Sequence, residues 1–347
     1  MDIDNNIIIG AGKTTQNLIR YMNFLGKKFQ DSFIMCADND RQLWGTQLEG
    51  VLVGAVDDIL RFSNANIVIS SIYEKDIRRQ LKQLNITNRV MDNIDYKRML
   101  FVDFQINQYH RMHDHTAQLR QNIIFNLTVY TVIFDNYDLL QEVECCEKSI
   151  KYICFTDNKT LKSDTWEIHY VEREFDDPVL ESRKYKMLPH LFIETEYSLY
   201  IDANIRLEKS PLKFVNQYFI SGNWLFVPHP DRDCIYQEMA VCVLWNRDSI
   251  KRLINQTRYY NEYGCPEHVG LFCGAIIARR HFEKEVIAFE NQWWNHFMRY
   301  SRRDQISLGY LIWKNNIDIS LANIDFYNNE WFTVNKIHKK WEKDNVT

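Results

Sequence analysis

Short runs of buried-type residues, each closed by glycine or by an acid, alternate along this chain with stretches of helical periodicity, and that alternation restricts it to a layered α/β architecture. The first run, Asn6-Ile7-Ile8-Ile9, is closed by Gly10-Ala11-Gly12 and followed by Leu18, Ile19, Met22 and Leu25 at helical spacing. The second, 33–37, ends on Asp38, and the third, 67–71, precedes an amphipathic helix expected over 74–84. A parallel sheet covered by helices satisfies this order most economically. The pattern restarts at 127–134, continues at 151–156 into Asp157 and at 166–171, and reaches 197–201, which runs into Asp202-Ala203-Asn204. One restart in 347 residues predicts two domains, 1–120 and 121–327, with 328–347 as a C-terminal tail.

Forty-two basic against 46 acidic side chains, net -4, give no global attraction for nucleic acid or an anionic membrane, so any anion site must be local. Few glycines (11) and prolines (6) argue against long disordered linkers. The acidic start, Met1-Asp2-Ile3-Asp4, lacks the basic region of a signal peptide, and no apolar run reaches the ~20 residues of a membrane helix. The expected location is the cytoplasm, with any membrane contact peripheral, at the inner face and through the acceptor. Eight cysteines without a C-x-x-C are read as reduced and mostly buried. In such a compartment the sequons at Asn85, Asn126, Asn158 and Asn255 are uninformative.

In the first domain Gly10, Gly12, Lys13 and Thr14 at the strand-to-helix turn, with Asp38 closing the next strand, form a candidate nucleotide site. The third glycine of the dinucleotide pattern is replaced by Thr15, and the loop is too short for a Walker motif, so a degenerate domain kept for assembly is the competing reading. Gly10-Ala11-Gly12, Asp38-Asn39-Asp40, 45–51 and 67–71 resemble the N-terminal Rossmann-like domain of bacterial sugar acyltransferases and polysaccharide-biosynthesis proteins. That resemblance implies the fold and a nucleotide-sugar or related ligand. No tyrosine-lysine pair or acyltransferase repeat accompanies it, against an oxidoreductase or acyltransferase role. His110, His113, Asp114 and His115 have metal-ligand chemistry, set against a plain helical connector in which His110 and His113 share a face that His115 leaves.

The second domain holds the stronger chemistry. In open α/β sheets ligands lie beyond the carboxyl ends of the strands, where Asp202 is expected. Asp202-x-Asn204 offers hard oxygen ligands suited to Mn²⁺ or Mg²⁺, although Asp and Asn are also ordinary turn residues. A departing nucleoside diphosphate needs such a cation, or arginines and lysines, and Arg183 and Lys186 lie in the preceding basic segment. The segment 229–238 packs His229, Arg232 and Glu238 into a loop and helix start, with a salt-bridged surface loop as the alternative. Ser301-Arg302-Arg303-Asp304-Gln305 precedes a helix whose expected apolar face is Ile306, Tyr310 and Trp313; Ser301 and Asp304 also have the spacing of a capping box, with the arginines solvated.

Taken in order, 129–134, 152–157, 183–190, 200–204, 229–238, 270–281, Trp293-Trp294 and 301–314 are similar to a glycosyltransferase-like family found in bacterial polysaccharide loci and in plant mucilage-related and turgor-defect proteins. The resemblance implies a GT-A-like fold, a nucleotide-sugar donor, and a glycan or glycolipid hydroxyl acceptor in bacterial capsule or lipopolysaccharide synthesis. It implies donor-binding roles for Thr131, Asp157, Arg183, Lys186, Asp202, His229, Arg232, Arg303 and Gln305, and metal ligation by Asp202, Asn204 and His281. Asp304 is the expected base for an inverting reaction, with Glu238 as the second candidate. The family often has Gly at the position of Ala203, and Glu at that of His296 or Asn295. A noncatalytic nucleotide-sugar-binding or assembly protein is the alternative, and a homo-oligomer is compatible with either.

Overall fold

A computed structural model describes residues 5–112, 124 and 126–335, arranged in two compact units, 1–104 and 105–347. In the first unit β1 (Asn6–Ile9), α1 (Lys13–Phe24), α2 (Phe29–Ser32), β2 (Phe33–Ala37), β3 (Gln47–Leu48), β4 (Val51–Gly54), β5 (Asn66–Ile69), α3 (Glu74–Gln83) and β6 (Val90–Asp92) lead into α4 (Asn93–Met112). The sheet order is β3-β4-β2-β1-β5-β6, parallel except for the β3–β4 pair. Ile7, Ile8 and Ile9 are all buried because β1 is central and covered on both faces, which is why it reads as an unbroken apolar run. This is the Rossmann-like parallel sheet expected.

The division between units falls inside α4, after Phe104, and not near residue 120. Gln105 and Tyr109 belong with the second unit, where Gln105 Nε2 donates to the His229 carbonyl (2.7 Å) and the Tyr109 hydroxyl to that of Ile317 (2.8 Å). His110 lies on α4, whereas His113, Asp114 and His115 lie outside the described residues.

The second unit continues with β7 (Leu127–Ile133), β8 (Lys151–Thr156), β9 (Glu167–Tyr170), α5 (Pro178–Met187), β10 (Tyr197–Ile201), β11 (Ile205–Leu207), α6 (Pro211–Tyr218), β12 (Trp224–Pro228), α7 (Ile235–Leu244), α8 (Ile250–Glu262), β13 (Phe272–Arg279), α9 (Lys284–Arg299), α10 (Asp304–Lys314), β14 (Ser320–Leu321) and β15 (Phe332–Val334). Seven strands form one sheet, β14-β12-β13-β10-β7-β8-β9, in which only β13 runs against its neighbours. It is the GT-A-like mixed sheet expected. Strand alternation sorts the core: Tyr130, Val132 and Tyr200 face the layer of α5, α7, α8, α9 and α10, while Val129, Leu199 and Ile201 face α6.

Local rules explain the helices that shape the site. Asp177 caps α5 by accepting the Val179 N–H (2.9 Å), and Pro178 occupies the first turn, where no N–H is required. α10 is buried almost all round, from Ile306 to Ile312, so it is a core helix rather than one with a single apolar face. Ser301 does not cap it: the helix starts at Asp304, and the Ser301 hydroxyl accepts the Arg303 N–H (3.0 Å) in the preceding turn. The expected tail also folds in part, since β15 pairs with β11. Six cysteines are buried, with Cys145 and Cys146 exposed.

Candidate functional site

Because β7, β8, β9, β10 and β12 run the same way, their carboxyl ends share one edge of the sheet, where β13 begins. Asp157, Asp202 and His229 follow β8, β10 and β12 at this edge. Asp202 is half-buried; its N–H donates to the Ala275 carbonyl (2.9 Å) and its Oδ1 accepts the Tyr200 hydroxyl (2.7 Å). Burial and the adjacent Asp202 push the Tyr200 phenol well above its ordinary value, so it remains a donor. No protein partner holds Oδ2 among the described residues. Asn204 Nδ2 donates to the Asn335 carbonyl (2.8 Å), which leaves its amide oxygen for another partner.

Behind Asp202 lies a buried ion cluster. Lys186 Nζ stands 5.2 Å from the Tyr200 ring centroid and 2.5 Å from Asp304 Oδ2, and Arg183 Nε is 3.2 Å from the same oxygen. Burial by itself would raise the Asp304 carboxyl, but Lys186 and Arg183 outweigh it and hold the group well below the usual carboxylate range. A Cβ on Gly274, early in β13, would sit 2.8 Å from Lys186 Nζ and 3.2 Å from Asp304 Oδ2, so only glycine leaves room for this contact. Arg303 precedes Asp304 and reaches a second buried acid, Glu238 (3.6 Å), whose other oxygen takes Arg232 at 2.8 Å. Two buried carboxylates thus hold four cations, three of which, Arg183, Arg232 and Arg303, keep about a quarter of their side chains exposed (23%, 23% and 27%).

The base role expected for Asp304 does not fit this arrangement, because Lys186 and Arg183 beside the carboxylate lower its proton affinity and a general base works best with a pKa near the operating pH. Glu238, the second candidate, has both oxygens engaged by arginines. Gln305 is beside the cluster, its Oε1 buried without a hydrogen-bond partner. Asp157 accepts the Asp135 N–H (3.1 Å) and Arg173 Nε (3.1 Å), which ties down the turn after β7.

Two expectations are overturned by strand geometry. Thr131 is fully buried and shares the α6-facing side of β7 with Val129 and Ile133, opposite Lys186, so it does not join the cluster. His281 lies beyond the far end of β13: Asp202 meets Ala275, whereas Arg279 pairs with Ser198, ~13 Å along the strand at ~3.3 Å per residue. His281 is fully buried with one ring nitrogen 3.3 Å from the Ile193 carbonyl, and it cannot share an ion with Asp202.

Sequence reasoning missed the residues that brace this site. Arg279 donates to the Lys186 carbonyl (2.9 Å) and to Glu290 (3.0 Å), whose second oxygen meets His190 Nδ1 (2.5 Å), fixing the end of α5 from below. Gly274, an isolated glycine in a β-rich run, was the one legible sign of a close approach.

Three histidines in this unit are held neutral. Burial, then Arg232 and Arg303, push His229 to about 3; burial and then Arg279 push His281 to about 4; burial, then Lys314 and Arg299, push His296 to about 4. Their ordinary value is 6.5, so below it the unfolded chain takes up protons that the folded chain refuses. The stability they contribute is complete above pH 6.5 and is lost as pH falls towards 4, by up to ~1.4 kcal/mol per pH unit for each histidine. The expected result is a urea midpoint that drops steeply between pH 7 and 4.5, with a shallower slope in His281→Asn. A midpoint independent of pH over that range contradicts it.

In the first unit Gly10 adopts φ +108°, and a Cβ there would lie 2.6 Å from the Ser70 carbonyl oxygen, so the turn requires glycine. Gly10 and Asp38 line a cavity of about 380 Å³ between the carboxyl ends of β1 and β5, together with Asn39, Tyr73, Asp76 and Gln80. This is where the strand order reverses. Gly12, Lys13 and Thr14 form the start of α1 and are not among its lining residues. Asp38 accepts the Ala11 N–H (2.7 Å) and the Asp40 N–H (2.8 Å), so both its oxygens brace the turn.

The family described as "TOD1/MUCI70, glycosyltransferase-like domain" matches residues 107–339, well over half of the chain. A second, "C2185-like, N-terminal", matches residues 3–91. Comparison with curated proteins returned no match.

Proposed function

The chain belongs to the TOD1/MUCI70 glycosyltransferase-like domain family, and from that premise we propose that it transfers a sugar from a nucleoside diphosphate donor to a hydroxyl acceptor. The observation that carries the reading is the pairing, at the ligand edge of the sheet, of Asp202 with a free carboxylate oxygen and four cations held by buried acids. Resemblance to a family of bacterial polysaccharide loci supports a surface glycan, capsule or lipopolysaccharide, as the acceptor's class.

Among the described residues no group of three His, Cys, Asp or Glu could hold a metal by itself. Asp202 and the Asn204 amide oxygen nonetheless fit Mn²⁺ or Mg²⁺ completed by donor phosphates, since Mg²⁺ commonly takes one or two protein oxygens plus substrate phosphates. Such an ion supplies Lewis-acid stabilisation of the departing diphosphate. The chain's own contribution is preorganised charge: Arg183, Arg303 and Arg232 each have one side anchored on Asp304 or Glu238 and another open to a phosphate. On this reading Asp304 and Glu238 position cations and do not take the acceptor proton.

Nucleoside diphosphates with Mn²⁺ are expected to raise the melting temperature of the full chain, by ~2.7 kcal/mol of stabilisation at a hundredfold excess over Kd. Nucleotide-sugar hydrolysis should accompany it. No shift with any nucleoside diphosphate, with or without metal, overturns the donor assignment; binding without turnover favours the assembly role.

A further inference from the structure

On the surface of the second unit, the end of α7 and the outer face of α8 expose large apolar side chains: Leu244 at 80%, Trp245 at 69%, Ile250 at 51% and Ile254 at 50%. Helices of a folded domain bury such residues unless something covers them. α8 itself shows why these are left out. Leu253, Gln256 and Tyr260 point into the core, which turns Ile250, Ile254 and Arg258 outward at helical spacing.

Basic residues lie on the same helix and on the turn before it. Arg252, Arg258 and Arg299 line a cavity of about 340 Å³ with Tyr259, Tyr300 and Glu262. Arg299 lies over the Tyr300 ring (5.3 Å) and Arg247 over the Trp245 ring (5.5 Å), while Lys251 is on the exposed side of α8. None of these five cations has an ion-pair partner among the described residues, in a protein whose overall charge is -4. Asp248 accepts the N–H groups of Ser249 and Arg302, and Glu262 lines the cavity with the arginines.

We propose that this surface docks the protein on an anionic phospholipid bilayer, with Leu244 and Trp245 entering the headgroup boundary and the arginines meeting lipid phosphates. Charge complementarity selects this occupant. A second copy related by a two-fold axis would set the same five cations against themselves. A soluble polyanion would satisfy the arginines and gain little from Leu244 and Trp245. Trp at the interface, with neighbouring Arg and Lys, is the combination that a negatively charged bilayer surface stabilises. No helix among the described residues is long and apolar enough to cross a membrane, so the contact is interfacial.

Vesicle co-sedimentation of the full chain tests this, using phosphatidylcholine with and without phosphatidylglycerol. Binding is expected only to the anionic vesicles, weakening with added salt. Arg252→Gln/Arg258→Gln should lower partitioning about tenfold or more, given ~1 kcal/mol per basic residue at the surface. Leu244→Ser/Trp245→Ser should do the same with the melting temperature unchanged, because both side chains are exposed. Wild-type protein that ignores anionic vesicles at low salt overturns the proposal, as does equal binding by both variants. So does a wild-type dimer that Leu244→Ser/Trp245→Ser dissociates without any vesicle binding, or capture by dextran sulfate that this variant leaves intact while vesicle binding is absent.

Discussion

Asp304→Ala is expected to lower stability by about 3–5 kcal/mol and to abolish turnover. The carboxylate is nearly inaccessible and is the shared partner of Lys186 and Arg183, so its removal leaves Lys186 buried, charged and unpaired. The loss therefore measures the stranded cation and not the net worth of the pair. Lys186→Met/Asp304→Leu separates the two, because replacing a buried ion pair by apolar groups of similar volume is commonly near neutral for stability. The double variant should regain most of the urea midpoint while remaining inactive, since Arg183 has lost its anchor at the proposed donor site. A single-variant loss below ~1 kcal/mol would mean that the cluster is hydrated and contributes little. Turnover restored in the double variant would remove Asp304, Lys186 and the orientation of Arg183 from the reaction.

Asp202→Ala should have the opposite signature, a turnover at least about 10²–10³-fold lower with the fold intact. Its side chain is half-buried and its one described hydrogen bond is to Tyr200, so the stability change should stay near ~1 kcal/mol. Steady-state kinetics with varied Mn²⁺, alongside urea unfolding, check both halves. If kcat and metal dependence survive, the assignment of Asp202 to the donor diphosphate fails. If only donor KM rises, Asp202 binds donor without contributing specifically to the transition state.

Much of the scaffold was legible because its strands are short apolar runs with polar stops. The expected strands 33–37, 151–156 and 197–201 coincide with β2, β8 and β10, and the helix expected over 74–84 is α3, Glu74–Gln83. β13 escaped notice. It carries Gly274 and Arg279 inside an apolar segment, and no pattern in the residues says that it runs against its neighbours. That direction decides against the metal role the resemblance implied for His281, since an antiparallel strand that meets Asp202 at its start carries His281 away from it. Thr131 failed for a related reason, since an edge residue and a site residue differ by the face on which strand alternation places the side chain. The boundary near 120 was read from the restart of strands at 127, whereas the contacts divide the chain inside the helix that precedes it, at a position no local pattern marks.

By itself the sequence determined what depends on local chemistry: two α/β units, the strand-to-acid transitions, the glycine turn after β1, and the residue types able to meet a diphosphate. Only the tertiary structure decided the roles within that set. Asp304 was the expected base, and nothing in the spacing of its own segment shows that it is buried against Lys186 and Arg183 from α5, or that Arg303 beside it reaches Glu238. The physical reason is range. Strand and turn preferences act over a few residues, whereas a carboxylate's proton affinity is set by burial and by charges brought beside it from 118 positions away along the chain, as Lys186 is to Asp304.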